Sequence, residues 1–249
     1  MRPARPEAVA TARRPLVPFD GTRAPRIAAF ALAVTSALAV SGCGGSSAPA
    51  DQVASRPTAS VSPGGCQPAT PSTAKPQSFD SEPAVTTAPT TYTARIVTNC
   101  GTITVALDGK HAPHTVNSFA FLAAHHFFDG TPCHRLTTSA IYVLQCGDPT
   151  GTGTGGPGYT IPDENLKGAK YPAGTVAMAN TGRPHSGGSQ FFFVYADTSL
   201  QPKYTPFGHV TDGLDVLQAI AHAGTQDGGP DGPPAHPVVI ESFTVTKGG

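Results

Sequence analysis

A change of texture near residue 92 constrains this chain more than any other feature. Residues 44–91 are dominated by Pro, Ser, Thr, Ala and Gly. Such a segment cannot bury enough apolar surface to offset the entropy of ordering it, so it reads as a disordered or extended tether. Beyond it, short apolar runs alternate with Gly- and Pro-containing turns. Ile103, Val105 and Leu107 alternate with Thr102, Thr104 and Ala106, the period of two that turns one face of a strand toward a core. Residues 92–98 supply a partner strand across an Asn99-Cys100-Gly101 turn. Further strands are expected over 132–137, 141–146, 174–179, 190–195, 206–210 and 237–246. One helix is expected over 114–125, where Val116, Phe119, Leu122 and Ala123 follow Pro113 at helical spacing. A second fits 214–222, with Asp212 as its cap and Gly224 as its stop. About 155 residues suffice for one core. The expected fold is mainly β, an antiparallel barrel or sandwich plugged by two helices.

Composition removes some functions. The 16 basic side chains balance the 16 acidic ones, so there is no electrostatic case for a nucleic-acid partner. At the N-terminal end, Arg23 and Arg26 precede an apolar run over 27–40, which meets Val40-Ser41-Gly42-Cys43. A basic flank, a short apolar stretch and small residues describe a secretory signal peptide. The run is shorter than the roughly 20 residues that span a bilayer. Its end resembles a bacterial lipobox, in which Cys43 would carry the lipid. The expected organisation is a signal peptide with lipobox over 1–42, a tether over 43–91 and a folded domain over 92–249. The expected location is secreted and lipid-anchored, on the outer face of the bacterial cytoplasmic membrane. In that oxidising compartment Cys66, Cys100, Cys133 and Cys146 can form two disulfides, with three pairings open. Cys133 and Cys146 lie on two candidate neighbouring strands. That favours Cys133–Cys146 and, by elimination, Cys66–Cys100.

The chemistry-bearing residues lie between 133 and 193. Arg135, Gln145 and Asn180 are interleaved with apolar and aromatic residues on separate strand-like segments, and no nucleophile–base pair accompanies them. Few reactions need an arginine and an apolar pocket but no covalent chemistry. The motifs are Phe128-Asp129-Gly130, His134-Arg135, Gln145-Cys146-Gly147-Asp148, the glycine-rich loop 151–158, Met178-Ala179-Asn180, Gly188-Ser189-Gln190-Phe191-Phe192 and Phe207-Gly208. In this order they resemble the cyclophilins, a family of peptidyl-prolyl cis–trans isomerases, over almost all of 92–249. The resemblance implies an eight-stranded antiparallel β-barrel capped by two α-helices. It implies that Arg135 stabilises the twisted amide, that Gln145 orients Arg135, and that Asn180 pairs with an extended substrate backbone. Tyr142, Val143, Phe192 and Leu200 would form a proline pocket with Phe207 at its base, and His134, Ala179, Thr181 and Tyr204 would be further substrate contacts. Phe191 and Phe193 would face the core instead, because alternation sends them away from Phe192.

This chain departs from the family pattern in places. Ser199 stands where eukaryotic members carry a Trp that contacts cyclosporin, and Tyr204 where they carry a His. Losing the indole implies weak inhibition. Titrating cyclosporin into a peptide-turnover assay checks this, and nanomolar inhibition would contradict it.

Other motifs carry less. Gly151, Gly153 and Gly156 satisfy a dinucleotide pattern, but Pro157, Gly158 and Pro162 forbid the helix it requires. His111, His114, His125 and His126 have no third ligand at a recognisable spacing, so no metal or other cofactor is expected. Ser186–Ser189 lacks the strand-to-helix elbow of a hydrolase. The expected partners are proline-containing polypeptides, the membrane enters only through the lipid, and the protein is expected to be a monomer. A catalytically weak proline-peptide binding module, or a chaperone on the cell surface, is the alternative reading.

Overall fold

The computed structural model describes residues 65–69, 74–86, 88 and 90–248. The expected signal peptide and Cys43 lie outside the described residues. The hairpin β1 (Thr91–Thr98) and β2 (Gly101–Asp108) leads into α1 (Pro113–Ala124). Then follow β3 (Thr131–Pro132), β4 (Arg135–Thr137), β5 (Val143–Cys146), β6 (Thr175–Met178), β7 (Phe191–Val194) and β8 (Pro206–Asp212). The described chain ends with α2 (Leu214–Ala223), β9 (Asp231–Gly232) and β10 (Val239–Lys247). All strands join one antiparallel sheet in the order β3-β10-β1-β2-β8-β6-β7-β5-β4-β9.

The mainly β fold with two helices agrees with expectation, but among the described residues there are ten strands rather than eight. One expected strand splits at Cys133 and His134: Thr131 and Pro132 pair with β10, while Arg135 and Leu136 pair with β5. The other addition is Asp231–Gly232, which pairs with β4. The split also explains the curvature. β3 ends the sheet order at one side and β4 lies next to the other end, yet only two residues separate them. The three steps from Pro132 to Arg135 reach about 11 Å at most, so the sheet must curl until its two sides meet.

Period-two alternation then sorts the side chains. Phe191 and Phe193 enter the main core with Ile96, Ile103, Leu107, Leu144 and Ile240, while Phe192 faces a second, smaller cluster. Phe119 of α1 plugs the main core, its ring 4.6 Å from that of Phe207 and 5.2 Å from that of Phe128. α1 has no side-chain cap of its own. Glu164, from a distant loop, instead accepts the amides of His114 and Thr115 at 3.0 and 2.9 Å. A carboxylate at a helix N-terminus satisfies free amides and complements the dipole. Asp212, the expected cap of α2, stays in β8, and Gly213 takes the cap position at φ 87°. A side chain there would run into the Thr102 carbonyl of β2, so the approach requires glycine.

Residues 65–69 and 74–86, expected to belong to a disordered or extended tether, lie against the domain. The disulfide Cys66–Cys100 ties this segment to the β1–β2 turn. Asn99 anchors it again, donating from Nδ2 to the Gln67 carbonyl at 2.8 Å. Phe79 packs edge-on against Phe121 at 4.9 Å, and its amide donates to the Pro157 carbonyl at 2.8 Å. His114 Nδ1 meets Glu82 Oε1 at 2.7 Å. One cross-link, one aromatic ring and a few polar contacts supply the ordering that composition alone denied.

Candidate functional site

The site lies where the curled sheet brings β4, β5, β7 and β9 together. Arg135 of β4 is the register partner of Gln145 of β5, which in turn faces Phe192 of β7. Hydrogen bonds run along this row. Arg135 Nη1 donates to Gln145 Oε1 at 3.3 Å, Gln145 Nε2 to Gln190 Oε1 at 2.9 Å, and Gln190 Nε2 to the Gly155 carbonyl at 2.8 Å. On its other side Arg135 donates from Nε and Nη2 to the two carboxylate oxygens of Asp231, at 2.8 and 2.7 Å. That two-point hydrogen bond is the chief reason the guanidinium pKa rises above its ordinary value, and Asp231 is correspondingly held below the usual carboxylate range. Arg135 is therefore a cation at every pH of interest.

Beside this row lies a groove of about 580 Å³. Its apolar wall is Ile141, Val143, Phe192, Leu200 and Tyr204. Its polar rim holds His134, Arg135, Gln145, Asn180 and Asp231, with Ala179 between. Tyr171, Ala177 and Val194 back the wall, and the Tyr171 hydroxyl donates to the Tyr204 carbonyl at 2.8 Å. Asn180 Nδ2 donates to the Lys203 carbonyl at 2.7 Å, and its Oδ1 accepts the Gly182 amide at 3.0 Å. The Asn180 side chain thus holds the surrounding loops. Its own backbone amide and carbonyl make no internal hydrogen bond among the described residues, and Asn180 lines the groove. His134 Nδ1 is buried without a partner among the described residues. Burial, reinforced by Arg135 and opposed by Asp148, lowers its pKa, which keeps the imidazole neutral beside the guanidinium.

Behind the rim, Asp148 is fully buried and organises the glycine-rich loop. Its carboxylate accepts the amides of Thr150, Gly153 and Gly155 at 2.7, 2.7 and 3.1 Å, and the Thr150 hydroxyl at 2.7 Å. Burial raises its pKa, but the Thr150 hydroxyl and the three amides together outweigh that and hold it below the ordinary 3.8. A lowered folded-state pKa means the stabilisation is complete above the unfolded value and lost as pH falls through the folded one. Asp148→Asn is expected to cost about 1–2 kcal/mol at pH 7, since a neutral amide accepts more weakly than a carboxylate. The cost should shrink below about pH 4 as the wild-type carboxyl protonates. Chemical unfolding at pH 7 and pH 3 measures the difference.

The structure gathers most of the expected site residues and moves some elsewhere. His134, Arg135, Val143, Gln145, Ala179, Asn180, Phe192, Leu200 and Tyr204 all line the groove. Thr181 is exposed and lines a neighbouring 890 Å³ pocket formed by the glycine-rich loop. Two placements are corrections. Tyr142 packs on the main core, its ring 5.9 Å from that of Tyr195, because alternation along this stretch gives the groove to Val143. Phe207 is buried in the barrel interior against Phe119 and does not form the base of the groove. Ile141 takes the wall position that Tyr142 was expected to hold. Asp231 was not anticipated, since a lone acid in a Gly- and Pro-rich stretch carries no periodic signal. Both favoured disulfides are present, and Cys133–Cys146 cross-links the chain next to Arg135 and Gln145.

The family described as cyclophilin type peptidyl-prolyl cis-trans isomerase/CLD matches residues 93–245. The chain belongs to the cyclophilin family. Among curated relatives, this cyclophilin is 50% identical over 173 residues to the "Probable peptidyl-prolyl cis-trans isomerase B" of Mycobacterium leprae, covering 64% of this chain and 58% of that protein. It is 48% identical over 182 residues to the protein of the same name from Mycobacterium tuberculosis H37Rv, covering 68% and 59%. The chain thus spans less than two thirds of these relatives. Among solved structures, the Cryptosporidium parvum cyclophilin aligns with a TM-score of 0.57 at 28% identity, over 64% of this chain and 99% of that one. A second crystal structure of that protein, in the presence of the dipeptide Ala-Pro, aligns with a TM-score of 0.56 at 28% identity, over 63% and 99%.

Proposed function

We propose that this cyclophilin is a peptidyl-prolyl cis–trans isomerase acting on X-Pro segments of exported proteins. The reading extends to an N-terminal lipid at Cys43, a place on the outer face of the bacterial cytoplasmic membrane, and action as a monomer without cofactor. The observation that carries it is the arrangement of one oriented guanidinium beside an apolar wall, with a backbone amide and carbonyl at Asn180 that have no internal partner among the described residues. That set matches what rotation about a prolyl amide needs. The amide is planar through resonance, and rotation costs about 18–20 kcal/mol. Twisting localises the lone pair on the prolyl nitrogen. A donor aimed there binds the twisted state more tightly than either planar one, which is how binding becomes rate. The wall of Ile141, Val143, Phe192 and Leu200 holds the proline ring, and Asn180 holds the flanking backbone as an added strand. Arginine suits the role because it is always charged and presents a rigid fork of donors. A gain of roughly 10⁵ in rate requires about 7 kcal/mol from these parts together.

The test is cis-to-trans exchange of an X-Pro peptide, followed by exchange NMR, with the protein and its Arg135→Ala variant. Fast exchange that collapses in the variant supports the proposal. Absence of exchange with a folded protein that still binds the peptide would replace it with a binding module.

A further inference from the structure

Arg135 is held from two directions, and the second holder stands outside the motifs that identify the family. Its guanidinium carries five N–H donors. Asp231 takes the one on Nε and one on Nη2, and Gln145 takes one on Nη1. Among the described residues two donors are left over, one on each terminal nitrogen. A guanidinium gripped along one edge and at the opposite terminal nitrogen cannot turn about its Cδ–Nε bond. The remaining donors therefore keep a fixed direction.

The support is itself built. β9 is only Asp231–Gly232, and among the described residues its sole sheet neighbour is β4, the strand that carries Arg135. Its flanks are tied as well: the Thr138 amide donates to the Pro230 carbonyl at 2.9 Å, the Gln226 amide to the Pro233 carbonyl at 2.9 Å and the Ala235 amide to the Gly224 carbonyl at 2.8 Å. Asp231 also lines the groove, together with Gly232 and Pro233. An ordinary surface ion pair has neither a strand dedicated to placing it nor a third partner completing the grip.

We propose that Asp231 is a positioning residue for the isomerase reaction, holding the Arg135 guanidinium so that its two free N–H groups face the prolyl amide. The proposal rests on the reading of Arg135 as the catalytic group. Loss of the carboxylate leaves the arginine charged but free to swing, and misplacement of about 1 Å is enough to cost up to 10²-fold in rate. Binding of the peptide depends instead on the apolar wall and on Asn180.

The experiment compares wild type, Asp231→Asn, Asp231→Glu, Arg135→Lys and Arg135→Ala, reading kcat and KM for an X-Pro peptide and the Arg135 Nε–H resonance. That resonance is assigned by its loss in Arg135→Lys. Asp231→Asn is expected to lower kcat about tenfold with KM within about twofold, and to expose the Nε–H to solvent exchange. Asp231→Glu should recover most of the rate and the protection. The melting temperature of Asp231→Asn should fall by no more than about 4 °C, because the pair is half exposed. Wild-type kcat in Asp231→Asn, lost rate with the Nε–H still protected, absence of rescue by glutamate, or a much larger fall in melting temperature would each overturn the positioning role. Wild-type turnover by Arg135→Ala would instead overturn the arginine mechanism, whatever Asp231→Asn does.

Discussion

Arg135→Ala is expected to lower kcat/KM for an X-Pro peptide by roughly 10²–10³, in the range found when one preorganised donor to a transition state is removed. The factor follows from what remains. The wall of Ile141, Val143, Phe192 and Leu200 is untouched, and Asn180 keeps its place at the groove. Peptide affinity should change little, so the loss falls mainly on kcat, the signature of an interaction made only in the transition state. Stability separates this from a structural effect. The Arg135 side chain is 39% exposed and that of Asp231 49%, so their ion pair contributes at most about 1 kcal/mol to folding. An unfolding midpoint near wild type beside a collapsed kcat places the loss in chemistry. Arg135→Lys should recover little, because an ammonium keeps the charge but cannot meet Asp231, Gln145 and substrate in one plane. Exchange NMR at fixed peptide concentrations, with denaturant unfolding of the same samples, measures both quantities.

How much of this site could be read from sequence depended on whether a residue obeys a period. The strand that carries Phe192 was legible because three consecutive phenylalanines must alternate between faces, and the structure puts Phe191 and Phe193 in the core and Phe192 at the groove. Arg135, Gln145 and Asn180 were legible through their motifs. Tyr142 was not, since an aromatic residue at the start of a strand suits either face, and the choice was made by Tyr195 and the main core. Phe207 was assigned to the wrong cavity because its helical neighbour Phe119 arrives from nearly ninety positions away in sequence. Asp231 belongs to a two-residue strand that exists only through pairing with β4, and no local pattern marks such a strand. The segment before β1 shows the opposite failure. Its composition argues for free chain, and a composition averages over the one cysteine and one phenylalanine that hold it down.

The two disulfides should part company in their consequences. Removing Cys133–Cys146 as the double alanine variant is expected to cost about 3 kcal/mol, the loop-closure value for a separation of 13 residues. Removing Cys66–Cys100, with a separation of 34, should cost about 4 kcal/mol by the same reasoning. Catalysis should rank them in reverse. Cys133 lies two residues before Arg135 and Cys146 immediately after Gln145, so this bridge staples the two strands whose side chains meet at 3.3 Å. That hydrogen bond is already long, and any slackening between β4 and β5 weakens it first. We therefore expect kcat to fall about tenfold without Cys133–Cys146, and to stay within about twofold without Cys66–Cys100, which ties the chain to the β1–β2 turn rather than to β4 or β5. Denaturant midpoints and kcat measured on both double variants decide the matter. If kcat follows stability, with the Cys66–Cys100 variant slower, then the strand pair does not need its staple and the rigidity of the row must come from Asp231 and Gln190 instead.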